Sequence, residues 1–144
     1  MTTTDLTGLE VMKLTGTTDD HRAPIATLIG LSIDEVDFGR VTMSIQTRPD
    51  FASPLGTVHG GICATLLDSV MSGAVHTTLE AGVGYSTLEL KVNYIRSTSV
   101  DGVSLTATAN TIHVGGKTAT AEGRVHDSEG RLVAHGTTTC IVHR

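Results

Sequence analysis

The 144-residue sequence predicts an α+β fold in which a strongly curved antiparallel sheet wraps around one long central helix. Three observations lead there. An apolar stripe at helical spacing starts near residue 60, with Ile62, Leu66 and Val70 four apart and Cys63, Leu67 and Met71 beside them. Everything after it reads as strand, in alternating runs broken by turn residues. Those runs are rich in small residues, among them Ala107, Ala109, Ala119, Ala121, Gly123, Ala134 and Gly136, which leave a sheet face on which a helix can lie close.

The elements follow in order. Residues 1–22 are threonine-rich, with a short amphipathic hint at Leu6, Leu9, Val11 and Leu14, and read as an N-terminal arm, loosely ordered or docked. Residues 23–144 read as a single domain without repeat or linker, long enough to bury an ordinary core. Pro24 suits the start of a short helix closed by Gly30. Leu31–Asp37 and Val41–Ile45 form a hairpin about Gly39. A loop with Pro54 and Gly56 leads into a helix of about 20 residues that Gly82 would stop. Thr87–Tyr94 then alternates strictly, placing Leu88, Leu90, Val92 and Tyr94 on the core side. Asp101-Gly102, Gly115-Gly116 and Ser128-Glu129-Gly130 are the turns that follow, and the four late strands read as an antiparallel meander.

Bulk composition removes several function classes. A net charge of −5 and 3% aromatic residues provide neither the basic patch nor the stacking platform of a nucleic-acid surface. No apolar run approaches the roughly 18 residues of a membrane span, and the first residues lack a signal-peptide pattern. Cys63 and Cys140 read as buried thiols in a reducing compartment, so a cytoplasmic location is expected. The seven histidines show no zinc-ligand spacing, no Gly-x-Ser-x-Gly occurs, and no metal or cofactor is expected.

The chemistry concentrates at the start of the long helix. His59-Gly60-Gly61 would present unpaired N–H groups at the positive end of the helix dipole, where an anion or a developing oxyanion is stabilised. Asp68 falls in mid-helix on a face of mostly small neighbours, Gly61, Ala64, Thr65 and Ser72. A carboxylate and an oxyanion donor are two parts of an acyl-transfer site. Eight helical residues span roughly 12 Å, too far for both groups to flank one carbonyl carbon within a chain. A twofold dimer with two antiparallel helices would bring each end to the other's middle.

Leu55–Gly61, Leu67-Asp68 and Thr87–Tyr94 together resemble the hotdog-fold acyl-CoA thioesterases of the phenylacetate-pathway type and the related 4-hydroxybenzoyl-CoA thioesterases. The later Gly116-Lys117 and Gly130–Gly136 also follow that pattern, and the resemblance covers about residues 23–142. It implies a hotdog fold and hydrolysis of acyl-CoA to free acid and CoA. It makes the Gly60 N–H the oxyanion donor, Asp68 of the opposite subunit the general base or nucleophile, His59 the motif histidine and Thr87 the residue that positions water. Gly61 and Ser53 join the substrate-binding set. Ser53 is a departure, because several family members carry Asn or Gln there. Gly116 and Lys117, with the following Thr118, look like the end of a phosphate-binding P-loop, but Thr111 stands where that loop needs glycine. They read as a hairpin turn whose lysine contacts a CoA phosphate at the rim.

The resemblance further implies a homo-oligomer, a dimer at minimum and a tetramer by pairing of dimers. Ala64, Ser72 and Gly73 near the presumed acyl tunnel admit an aryl ring and a medium chain alike. Two other functions belong to the same fold. A non-catalytic acyl-CoA sensor would keep the pocket without Asp68, and acyl-thioester dehydratases or hydratases use a different His and Asp/Glu layout.

Overall fold

A computed structural model describes residues 3–144; Met1 and Thr2, at the start of the expected arm, lie outside the described residues. Three α-helices, α1 (Gly8–Thr17), α2 (Pro24–Ile29) and α3 (Gly60–His76), accompany six strands. The strands are β1 (Ser32–Asp37), β2 (Arg40–Gln46), β3 (Gly84–Tyr94), β4 (Ser104–Val114), β5 (Thr118–His126) and β6 (Leu132–His143). They form one antiparallel sheet in the order β1-β2-β4-β5-β6-β3. Helix α3 packs against β2, β3, β4, β5 and β6, so the sheet wraps it as the apolar patterns predict.

The close fit has a local cause. Leu66, Leu67, Val70, Met71, Ala74 and Val75 of α3 are fully buried against Ala107, Ala109, Ala119 and Ala121. A Cβ added at Gly123 would stand 3.0 Å from Met71 Cγ and 3.2 Å from Leu67 Cδ2, so any side chain there would make that turn of helix give way. Small strand residues thus set the helix-to-sheet spacing, and the large α3 side chains fill it.

Within residues 1–22, α1 begins at a capping box. The Thr7 hydroxyl accepts the Glu10 N–H at 3.3 Å, and the Glu10 carboxylate accepts the Thr7 N–H at 2.8 Å. The Gly8 N–H donates to the Leu79 carbonyl at 3.0 Å, holding α1 against the turn that follows α3, and Met12 is buried.

The structure corrects three details of the sequence reading. The four late strands are not a simple meander: β4, β5 and β6 are consecutive neighbours, but β3 pairs with β6 at the far edge. Residues 95–103 are a crossing segment and not a tight turn, stapled successively to other elements. Ile95 and Arg96 donate to the Val133 carbonyl at 2.8 and 3.1 Å, Val58 donates to the Thr98 carbonyl at 2.9 Å, and Val103 donates to Thr47 Oγ1 at 2.8 Å. Second, α3 is 17 residues long and ends at His76, capped by Thr77 and not by Gly82. Thr77 and Thr78 hydroxyls donate to the carbonyls of Ala74 and Val75, both at 2.7 Å, so the last turn needs no glycine. Gly82, at φ +78°, instead serves the reversal into β3.

Third, Leu88 does not face the core. The β3–β6 register shifts between Thr87 and Glu89, which leaves Leu88 as an unpaired, exposed bulge residue. Alternation resumes one residue later, so Thr87 and Leu90 lie opposite the inward-facing Cys140 and Thr138. Without the bulge Thr87 would point away from α3.

Candidate active site

The loop before α3 is built to place its first turn. Ser53 N–H donates to the Thr57 carbonyl at 2.7 Å, Ala52 bridges Val58, and the Ser53 hydroxyl accepts the Leu55 N–H at 3.2 Å. Ser53 therefore spends its side chain on its own loop. The His59 N–H donates to the carbonyl of buried Phe51 at 2.8 Å, fixing the residue that caps the helix.

His59 Nδ1 accepts the Gly61 N–H at 2.8 Å. A side chain at Gly61 would crowd that ring, with the added Cβ 3.0 Å from Nδ1. The imidazole thus takes the place of a Ser or Asp cap, and the Gly61 amide is occupied. The Gly60 N–H has no acceptor among the described residues. It is left at the positive end of the helix, free to donate to an oxyanion.

Two turns further on, Asp68 is half-buried, and Thr87 Oγ1 donates to its Oδ1 at 2.9 Å. Its other oxygen has no partner among the described residues, which leaves it open to accept a hydrogen bond from water. The pairing is a product of the β3 bulge, which turns Thr87 toward the helix. Ser72, one turn on, donates to the Asp68 carbonyl at 2.6 Å. Tyr85 sits on the same face of β3 as Thr87, its ring 5.1 Å from that of His76. Burial pushes the Tyr85 phenol up, opposed by the Ser72 hydroxyl, and the Cys140 and Asp68 charges push it further.

Other residues near the helix start were not singled out from the sequence. The Tyr94 hydroxyl donates to the Gly60 carbonyl at 2.6 Å. Tyr94 was legible only as the last inward position of an alternating strand. A cleft of about 330 Å³ opens there, lined by Gly60, Cys63, Tyr94, Arg96 and Thr98, and the buried Thr98 hydroxyl has no hydrogen-bond partner. Burial pushes the Cys63 thiol up to about 11, which makes it a poor nucleophile and a packing residue.

Gly116 and Lys117 are not brought to this place within one protomer. They form the β4–β5 hairpin, where Arg144 donates to the Gly115 and Gly116 carbonyls at 3.0 and 2.7 Å, and a strand, not a helix, follows. That hairpin lies by the start of β3, whereas Gly60 meets its end. Another cleft, of about 330 Å³ and lined by Arg40, Glu122, Arg124, His126 and His135, occupies the outer sheet face, across the sheet from Asp68. Among the described residues there is no cluster of metal-ligating side chains and no helix long and apolar enough to cross a membrane.

A carboxylate in mid-helix, a free amide at the helix start and a sheet wrapped around both define the hotdog class. Residues 55–134 match the model of the Thioesterase superfamily, and the chain belongs to that family. It is an enzyme, a thioester hydrolase. A 1,4-dihydroxy-2-naphthoyl-CoA hydrolase from Listeria monocytogenes is 27% identical over 81% of this chain and 93% of its own. A medium/long-chain acyl-CoA thioesterase from Escherichia coli is 25% identical over 95% and 97%. Among solved structures, a phenylacetic acid degradation-related protein from Ralstonia eutropha superposes with a TM-score of 0.79 at 29% identity, covering 92% of this chain and 98% of that one. The Escherichia coli PaaI protein shares the fold, with a TM-score of 0.82 at 18% identity over 92% and 94% of the two chains.

Proposed function

We propose that the protein hydrolyses acyl-CoA thioesters to free acid and CoA at two sites across a twofold dimer. The observation that carries this reading is the Thr87–Asp68 hydrogen bond, 2.9 Å long, which holds a half-buried carboxylate in mid-helix with one oxygen unengaged. The relatives' names supply the carrier: both curated relatives described above act on CoA thioesters, though on unlike acyl groups.

In this reading the thioester carbonyl oxygen accepts the Gly60 N–H of one protomer. Asp68 of the other removes a proton from water as the water oxygen bonds to the carbonyl carbon, and passes that proton to the departing thiolate. Alternatively Asp68 attacks the carbon itself, and water then cleaves the resulting anhydride and supplies the thiolate's proton. The tetrahedral oxyanion stays on the Gly60 amide until the C–S bond breaks and the thiolate leaves with a proton. A thioester suits so small a set of groups, because its thiolate departs with little acid assistance. Thr87 orients the carboxylate and the water, and His59 shapes the helix start. The cleft beside Gly60 takes the pantetheine arm, and Lys117 of another protomer meets a CoA phosphate.

The dimer is supported by an open edge. β3 pairs only with β6, and Leu88, Tyr94 and Ile95 on or just beyond it are exposed apolar residues. Antiparallel pairing of two β3 edges about a twofold axis lays the two α3 helices side by side in opposite directions, as the roughly 12 Å between Gly60 and Asp68 requires. Pairing of dimers gives a tetramer, and the buried thiols of Cys63 and Cys140 suit the cytoplasm.

The test is thiol release from a panel of aryl- and alkyl-CoA thioesters by wild type and Asp68→Asn, with sedimentation to follow assembly. Loss of about a hundredfold in turnover by a variant that still dimerises supports the reading. Equal turnover by both proteins, or an active monomer, overturns it.

A further inference from the structure

We propose that the largely apolar pocket between α1, α2, α3 and the strands β1–β3 receives the acyl group, that Met12 and Met43 meeting over Gly73 set its depth, and that the preferred substrates carry acyl groups of about eight carbon atoms. The inference rests on the proposed thioesterase chemistry and names the substrate class of that site.

Position comes first. The chamber adjoins Asp68 along two elements. On α3, Ser69 follows Asp68 and Ser72 lies one turn on, both lining the chamber, and the Ser72 hydroxyl donates to the Asp68 carbonyl at 2.6 Å. On β3, Tyr85 lines it, two residues before the Thr87 that holds the carboxylate. An acyl chain whose thioester carbon lies at Asp68 therefore has a wall to follow in this direction.

The lining then says what kind of group fits. Away from Ser69 and Ser72 the walls are chiefly aliphatic, with Ile25 and Ala26 from α2, Leu31 and Ile33 from the first strand region, and the two methionines, while Thr15 and Arg22 add polar atoms. The volume is about 220 Å³. A cavity of about 150 Å³ holds benzene, so this one takes about eight or nine carbon atoms, a ring with a short link or an octanoyl-sized chain.

Depth is set at Gly73. A Cβ built there would lie 3.1 Å from Met12 Cε and 3.1 Å from Met43 Cε, so both thioether tips rest on that glycine. Both side chains are buried. Methionine tips adapt, but the backbone bearing Met12 is pinned by the Thr7–Glu10 capping box and the Gly8–Leu79 hydrogen bond. The N-terminal segment is thus a wall of the acyl site.

The experiment measures binding of non-hydrolysable S-alkyl-CoA thioethers, from S-butyl to S-dodecyl with S-phenethyl included, by titration calorimetry, alongside hydrolysis of the matching thioesters. Wild type binds S-octyl and S-phenethyl tightest and S-dodecyl about tenfold or more weaker. Met12→Ala raises the dodecyl-to-octyl affinity ratio about tenfold, and Gly73→Ala lowers the octyl-to-butyl ratio. Gly73→Ala acts from α3, so it reads the same depth should Met12→Ala loosen α1. Ratios unchanged in both variants overturn the chamber while hydrolysis by wild type leaves the thioesterase reading standing. Ratios that shift as expected with no thioester cleaved support the chamber and overturn the hydrolysis. Absence of both binding and cleavage overturns both.

Discussion

The Tyr94 hydroxyl reaches the Gly60 carbonyl at 2.6 Å, tying the end of the edge strand to the first turn of the central helix. The contact needs glycine on the other side: a Cβ at Gly60 would stand 3.2 Å from Tyr94 Cζ. The two residues therefore hold the free Gly60 amide in place together. Tyr94→Phe keeps the ring and removes the donor, and the Gly60 carbonyl retains its helical partner. The expected result is a loss of about 1 kcal/mol in stability and about a tenfold fall in kcat with little change in KM. Gly60→Ala, which forces the ring away, is expected to cost about a hundredfold. Steady-state kinetics beside urea unfolding separate the two effects, and an unimpaired Gly60→Ala enzyme, which keeps the amide, would show that the fit against Tyr94 does not position it.

Thr87 tests the carboxylate from its partner's side. Thr87→Val has nearly the same shape but no hydroxyl to donate to Asp68. We expect kcat to fall about tenfold to a hundredfold with KM almost unchanged, and Thr87→Ser to recover most of it. A valine variant with wild-type kcat would make the hydrogen bond structural only.

Why Thr87 meets Asp68 was not legible in the sequence, although both residues were. Strict alternation places Leu88, Leu90, Val92 and Tyr94 on one face, and by that count Thr87 belongs on the other. The bulge at Leu88 reverses the count, and one inserted residue leaves no mark in a polar–apolar pattern. The helix and its opening glycines were legible because periodicity and backbone rules are local, whereas its end was not, since threonine hydroxyls close it well before Gly82. The partner of β3 was not, since turn signals report where a chain bends and not which edge it reaches. The carboxylate and the helix start were found by residue type and spacing. The Tyr94 hydroxyl and the chamber under α1 depend on contacts between segments far apart in the chain.

Gly123 reports on how closely the sheet wraps the helix. Alanine there places a methyl group 3.0 Å from Met71 Cγ, a position that branches off the helix stem and not a free tip. Overpacking of this kind costs about 1–3 kcal/mol. Calorimetry should show the melting temperature lowered by about 3–4 °C for each kcal/mol. A Gly123→Ala protein as stable as wild type would show that α3 can shift on the sheet without penalty.

His76 gives the fold a dependence on pH. Burial holds its imidazole below the ordinary histidine value, and its ring lies tilted by 51° against that of Tyr85, 5.1 Å away. In the unfolded chain the same imidazole titrates near pH 6.5, so below about that pH the unfolded state binds the proton more readily than the folded state. The neutral ring therefore contributes stability that is fully present above about pH 6.5 and is lost as pH falls below it, until the folded histidine is itself protonated. His76→Phe keeps a ring against Tyr85 and removes the titration. Urea midpoints measured at about pH 7.5 and about pH 5.5 should separate less in His76→Phe than in wild type. Equal separation in the two proteins would assign the acid sensitivity to other groups.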